Sequence, residues 1–353
     1  MRTDRIAGRL DELGVDAIVV TRPANVRYLT GFTGSNGQAL ITPKIGVFFT
    51  DGRYTEQSRR EVAEMERVTY RQNFAEVVRD ACAESGVRRL GFEEGVLTVR
   101  TFRSLERTLP DVELVPVGDD VDRERWVKDA EELDLIQAAQ DATDRAFEDV
   151  LDRLAVGLTE RQIAHELEQA MRRAGADGLS FETIVAFGEN AAEPHHEPNH
   201  RTLEDGDMVK MDFGALWGGY HADMTRTVAF GGVGSELRRI YSVVLEAQRA
   251  GLEAVRVGAT GGEVDAASRR VVDSAGYGEA FSHGLGHGDG LEVHEGPGLR
   301  RDGTDELPEG AVVTVEPGVY VAGLGGVRIE DMVVVGSDGA RVMPSSTKDL
   351  IEL

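Results

Sequence analysis

The 353-residue chain is 41% hydrophobic and 29% charged, an ordinary folded composition with room for two domains, or for one large domain with an appendage. Its net charge of −24 argues against nucleic acid, which is held by clustered Lys and Arg. No apolar run approaches the roughly 20 residues of a membrane span, and the N-terminus has no signal-peptide core, so a cytoplasmic protein that binds no membrane is expected.

Residues 6–13 read as a helix ended by Gly14, and 17–20 as a buried strand. Residues 39–42 and 47–50 look like neighbouring strands, and 54–65 like a helix. A helix at 74–85, a strand at 90–92, a helix at 99–109 and a strand at 112–115 follow, which predicts an α/β domain around a mixed or parallel sheet. Cys82, the single cysteine, lies in the helical pattern 74–85 and reads as a small buried apolar group. Asp51 opens a turn into a helix and reads as its N-cap. Asn25, Arg27 and Tyr28, with 31–37, read as the border of a partner's site or, preferably, as a polar loop of a supporting domain. Residues 116–122 have linker composition, which puts the boundary near Val121 and divides the chain into 1–121 and 122–353.

A long amphipathic helix is predicted at 131–154, with Leu135, Ala138, Ala142, Ala146 and Val150 as its apolar stripe. Thr159 to Gln162 form a capping box that opens a second helix, ended by Gly175. Strand-like runs at 183–187, 208–213, 224–230, 311–315 and 327–335 surround two further helices, 237–255 and 262–275. That grouping predicts an α+β domain with a curved antiparallel sheet covered on one face by helices.

The stretch KMDFGALWGGYHADMTRTV, 210–228, places Asp212 and Asp223 in two strands joined by a short loop. Pairing about Trp217-Gly218 sets the two acids directly opposite each other, within roughly 5 Å at Cβ, where like charges repel unless a cation intervenes. Two aspartates on a solvated sheet face satisfy the same pattern. Three later stretches add to it. HGLGHGDGLEVHE, 283–295, carries His283, His287 and His294; AVVTVEPG ends a strand on Glu316; GVRIED puts Arg328 and Glu330 on one strand face. Taken singly, these read equally as a flexible glycine loop, a strand end and a surface ion pair. Together Asp212, Asp223, His287, Glu316 and Glu330 offer four carboxylates and one imidazole, a charge that two divalent cations cancel. The oxygen-rich set suits Mn or Co, with Fe or Zn as alternatives.

In that order MDFGALWGGYHADMTRT, HGLGHGDGLEVHE, TVEPGVY and GVRIEDM resemble the metal-binding motifs of the metallopeptidases with the pita-bread fold, the group of methionine aminopeptidases, aminopeptidase P and prolidase. Residues 15–121 resemble the creatinase-like N-terminal domain, which methionine aminopeptidases lack, and NAAEPHHEPNHR, 190–201, is also like the proline-directed members. The resemblance implies Asp212 as terminal ligand of one metal, Asp223 and Glu330 as bridges, and His287 and Glu316 as terminal ligands of the other. It implies His195, in preference to His196, and His294 as substrate-side histidines, with His283 lining the site. Glu316 is expected to carry the proton to the leaving proline nitrogen. Arg328 is expected either to orient Glu330 or to meet the substrate's C-terminal carboxylate.

The implied activity is metal-dependent hydrolysis of an Xaa-Pro bond in a dipeptide or short peptide. Xaa-Pro dipeptidase is placed ahead of Xaa-Pro aminopeptidase, and a homodimer is expected. Creatine amidinohydrolase and a non-catalytic binding protein of the same fold are weaker readings, because all five ligand types are present. Lysine is confined to Lys44, Lys128, Lys210 and Lys348. So acidic and lysine-poor a surface predicts a halophilic source.

Overall fold

The computed structural model describes residues 2–71 and 73–353. The chain divides into two compact units, with the boundary between Arg125 and Trp126.

The first unit is built on a six-stranded mixed sheet. Ala17–Val20 lies near its middle, antiparallel to Gly37–Ile41 and parallel to Arg89–Phe92. Gly46–Asp51 and then Glu66–Tyr70 extend one side, and Glu113–Pro116 completes the other. Helices Phe74–Ser85 and Val99–Thr108 follow the predicted pattern, and the Asp51 side chain accepts from the Arg53 amide, as a cap should. The helix expected at 54–65 is shorter, Thr55–Glu61 after a 3-10 turn.

Three elements were not anticipated, one of them the single helical turn Asp120–Arg123 at the end of the expected linker. Residues 23–30 form a helix, not a loop, with proline at its start, where a missing N–H costs nothing. Asn25 is fully buried, giving its amide to Glu93 (2.6 Å) and Asp122 (3.0 Å), and the Tyr28 hydroxyl donates to the Glu124 carbonyl (2.8 Å). Those two side chains are committed within their own unit, in keeping with a supporting role. Glu66–Tyr70 is a mostly exposed edge strand and has little apolar alternation to reveal it.

The second unit pairs all its strands antiparallel. Ile184–Phe187, Met208–Phe213 and Met224–Ala229 form one sheet. Gly286–Gly288, Glu295–Leu299, Val312–Val315, Asp331–Gly336 and Gly339–Val342 form another, and Gly318–Val321 pairs with Gly325–Arg328. Helices Ala130–Leu151 and Glu160–Arg173 are opened by capping boxes on Asp129 and Thr159 and share a core with Val185, Phe187, Val209, Met211 and Phe213. Helices Ser235–Ala254 and Gly261–Ser274 share another with Val313, Val315, Val327, Ile329 and Val333. Successive strand residues point to opposite faces. With these apolar positions turned to the helices, Lys210, Asp212, Thr314, Glu316, Arg328 and Glu330 take the other face.

The hairpin register differs from expectation. The turn is Gly218-Gly219, with φ of 56° and 82°, the left-handed values a two-residue hairpin needs and glycine adopts without strain. Asp212 consequently faces Thr225, and Asp223 lies diagonally from it. A shift of two residues leaves the face unchanged, so both acids still point the same way. The single strand predicted at 327–335 is in fact two, in different sheets, with Glu330 at the junction and its amide on the Thr225 carbonyl (3.1 Å).

Candidate metal centre

Nine side chains were singled out from sequence: His195, Asp212, Asp223, His283, His287, His294, Glu316, Arg328 and Glu330. All nine line one cleft of about 430 Å³ in the second unit, with Phe181, Glu182, Ile184, Pro194 and Val293 among its other walls. Within the glycine-rich segment Gly286–Gly288 forms a short strand that carries His287. A Cβ on Gly286 would stand 2.0 Å from the Thr314 carbonyl, so glycine is what lets His287 come in against the neighbouring strand.

Asp223, His287 and Glu330 each present a ligand atom within 4.8 Å of the other two. His287 Nε2 is 3.7 Å from Asp223 Oδ2 and 3.4 Å from Glu316 Oε1. The Asp212 Oδ2 takes the Arg328 Nη2, while Asp212 Oδ1 and Asp223 Oδ1 are buried without a hydrogen-bond partner among the described residues. Burial, then Glu330 and Asp212, holds the Asp223 carboxyl well above its usual range. Burial, then Glu316 and Asp212, does the same to Glu330. Burial pushes Glu316 up to about 7 against the pull of Arg328. His287 is pushed the other way by burial, toward the neutral form a ligand must have. Crowded acids with orphaned oxygens beside a neutral imidazole fit divalent cations.

Arg328 holds this wall together. It is almost fully buried and donates from Nε to Thr225 Oγ1 (2.9 Å) and from Nη1 to the Pro194 carbonyl (3.2 Å) and the Tyr320 hydroxyl (3.0 Å). Thr225 in turn donates to Glu330 Oε2 (2.7 Å). Arg328 therefore pairs with Asp212 and reaches Glu330 only through Thr225. Tyr320, Asp212 and Glu316 hold the guanidinium well above its ordinary pKa despite the opposing effect of burial. Its donors are committed to protein groups, which leaves little for a substrate carboxylate.

Of the adjacent histidines, His195 lines the cleft, while His196 is buried between Glu160 (2.8 Å) and Glu193 (2.7 Å). The His294 ring packs edge-on against His287 with centroids 4.3 Å apart. His283 Nε2 lies 2.9 Å from the Tyr320 hydroxyl, and burial lowers its pKa to about 4. Thr225, Tyr320 and Lys210 were missed. Thr225 stands two residues after Asp223 on the same strand face, the one sequence signal that pointed to it.

Fold and cleft define a two-domain metal-dependent hydrolase. Residues 134–337 match metallopeptidase family M24, and residues 2–127 match the creatinase/prolidase N-terminal domain. The chain belongs to metallopeptidase family M24, whose members depend on a dinuclear metal centre, and it has the pita-bread fold. It is 41% identical, over the whole of both chains, to an uncharacterized peptidase, YqhT, of Bacillus subtilis. Among solved structures it is similar to an Xaa-Pro dipeptidase from Bacillus anthracis, with 40% identity and a TM-score of 0.97 over 100% of this chain and 99% of that one. It is also similar to an X-Pro aminopeptidase from Thermotoga maritima, with 35% identity and a TM-score of 0.91 over all of both chains. Among the described residues no helix is long and apolar enough to cross a membrane.

Proposed function

We propose that the protein is an Xaa-Pro dipeptidase, hydrolysing the bond between an N-terminal residue and proline. The observation that carries this reading is the convergence of all nine side chains on one cleft, in a chain that also has a creatinase-type first domain. Asp212 would hold one metal, His287 and Glu316 the other, and Asp223 and Glu330 would be shared. When bound, the pair supplies an activated water at neutral pH and positive charge for the carbonyl oxygen.

The chain's own groups do the rest. His195 and His294 reach the substrate carbonyl as hydrogen-bond donors. Glu316, at the end of its strand in the cleft, is placed to pass a proton from the attacking water to the leaving proline nitrogen. His283, neutral and backed by Tyr320, borders the substrate. Arg328 orients Asp212 directly and Glu330 through Thr225. Four carboxylates with one imidazole favour Mn or Co, ahead of Fe or Zn.

A second reading, Xaa-Pro aminopeptidase acting on longer peptides, is favoured by one observation. A dipeptide's free carboxylate calls for a cation, and Arg328, the one Lys or Arg among the described cleft residues, is committed elsewhere. Purified protein loaded with each metal in turn, tested on Ala-Pro and on Ala-Pro-Ala, separates the two. Cleavage of the dipeptide alone supports the first, cleavage of the tripeptide alone the second. Loss of neither activity nor metal stoichiometry in Asp223→Ala and Glu330→Ala would refute both.

A homodimer in the cytoplasm completes the proposal. A halophilic source is supported by the placement of the lysines. Lys128 and Lys210 are buried and Lys348 is half-buried against Asp331, so Lys44 alone stands exposed.

A further inference from the structure

Lys210 lies in the middle of strand Met208–Phe213, two positions before Asp212 on the same face, and is completely buried. An ammonium in that position is costly unless its protons are taken up. Three carbonyl oxygens take them: those of Ala191 (3.2 Å), Glu193 (2.5 Å) and Pro194 (3.4 Å), with the Tyr320 ring 5.1 Å away.

These carbonyls belong to one short stretch, the end of the 3-10 turn Gly188–Ala192 and the two residues after it, and the next residue is His195. The Pro194 carbonyl also accepts from Arg328 (3.2 Å). Immediately beyond, His196 is held by Glu160 and Glu193. The His195 side chain has no hydrogen bond among the described residues, so its place in the cleft is set by the backbone on either side of it.

We infer that Lys210 is a positioning residue for His195, clamping the turn at residues 191–194 so that one histidine of the pair faces the cleft and the other is kept out of it. The same strand thereby carries a candidate metal ligand and the anchor of a substrate-side group, spaced by one pleat. This rests on the proposed role of His195.

The test uses the full chain with Lys210→Met and Lys210→Gln, each alone and combined with His195→Ala. Expected results are unchanged metal stoichiometry, amide exchange at residues 188–196 faster by tenfold or more on the order of a lost clamp, and kcat/KM on an Xaa-Pro dipeptide lower by up to about 100-fold. The double variant should be no slower than His195→Ala alone, because the two changes remove one function. Unchanged exchange, or losses that multiply in the double variant, would overturn the assignment. Should Lys210→Met fail to fold, Lys210→Gln, which keeps a polar head, carries the same readouts. Full activity in His195→Ala would instead refute the reading of that histidine, and the exchange measurement would still judge the clamp.

Discussion

Replacing Thr225 by Val removes one oxygen and leaves the side-chain shape intact. That oxygen accepts from Arg328 (2.9 Å) and donates to Glu330 (2.7 Å), and the residue is fully buried, so no solvent stands by to replace it. A hydrogen bond to a charged group contributes about 1.5–3 kcal/mol, so losing two costs about 3–6 kcal/mol. The lower end is expected because Arg328 keeps its other partners. At roughly 2–4 °C per kcal/mol for a unit of this size, the metal-free protein should melt about 6–12 °C lower. Freed from its support, Glu330 should also bind metal more weakly, by about 10–100-fold. Differential scanning calorimetry and competition against a chelator measure the two effects, with Thr225→Ser as the control that keeps both hydrogen bonds. A melting temperature within about 2 °C of the wild type, with metal affinity unchanged, would refute the reasoning.

The metal-free protein should lose stability as pH rises. Glu316 moves from 4.5 to about 7 on folding, so its contribution is complete below about pH 4.5 and is lost as pH rises through 7; Asp223 and Glu330 are raised by burial in the same direction and add to the loss. Thermal melts across this range with chelator should fall, and added metal should remove the trend; a flat chelated profile would count against it. Cys82, pushed up to about 12 by burial, should not react with a disulfide thiol reagent at pH 8 until denaturant is added, and prompt labelling of native protein would contradict its placement. His196→Ala should lower the melting temperature, since it removes one partner of buried Glu160, and should slow catalysis less than His195→Ala, which should leave the melting temperature unchanged. Melting temperature should climb as KCl approaches 1 M, where the Debye length shrinks to about 3 Å, and maximal stability in low salt would refute the halophilic reading.

The residues that line the cleft were legible because the chemistry imposes its own pattern. Asp212 and Asp223 interrupt apolar strands, Glu316 precedes a proline, and His287 sits among glycines that a neighbouring backbone requires. What was missed depended on register and on partners distant in sequence. The Gly218-Gly219 pair was itself the local signal for the turn, because both central positions need left-handed φ, which Trp217 adopts only with strain; placing the turn one residue early put Asp223 instead of Thr225 opposite Asp212. Arg328 was expected either at Glu330, by adjacency, or at a substrate carboxylate, whereas its fork meets Asp212, 116 residues away in the chain. Lys210 looked like the polar member of an alternating strand, and only the fold reveals three carbonyls around it. Helix Pro23–Thr30 was hidden by its opening proline, and the edge strand Glu66–Tyr70 by its exposure.

The alternation of the cleft strands separates two kinds of selection. Positions such as 209, 211 and 213 answer to the helices behind them, and on the other face position 212 answers to the cleft while position 210 answers to the turn beside it. A lineage of such proteins can therefore revise its reaction by exchanging every second residue while the scaffold's architecture goes on being inherited unaltered.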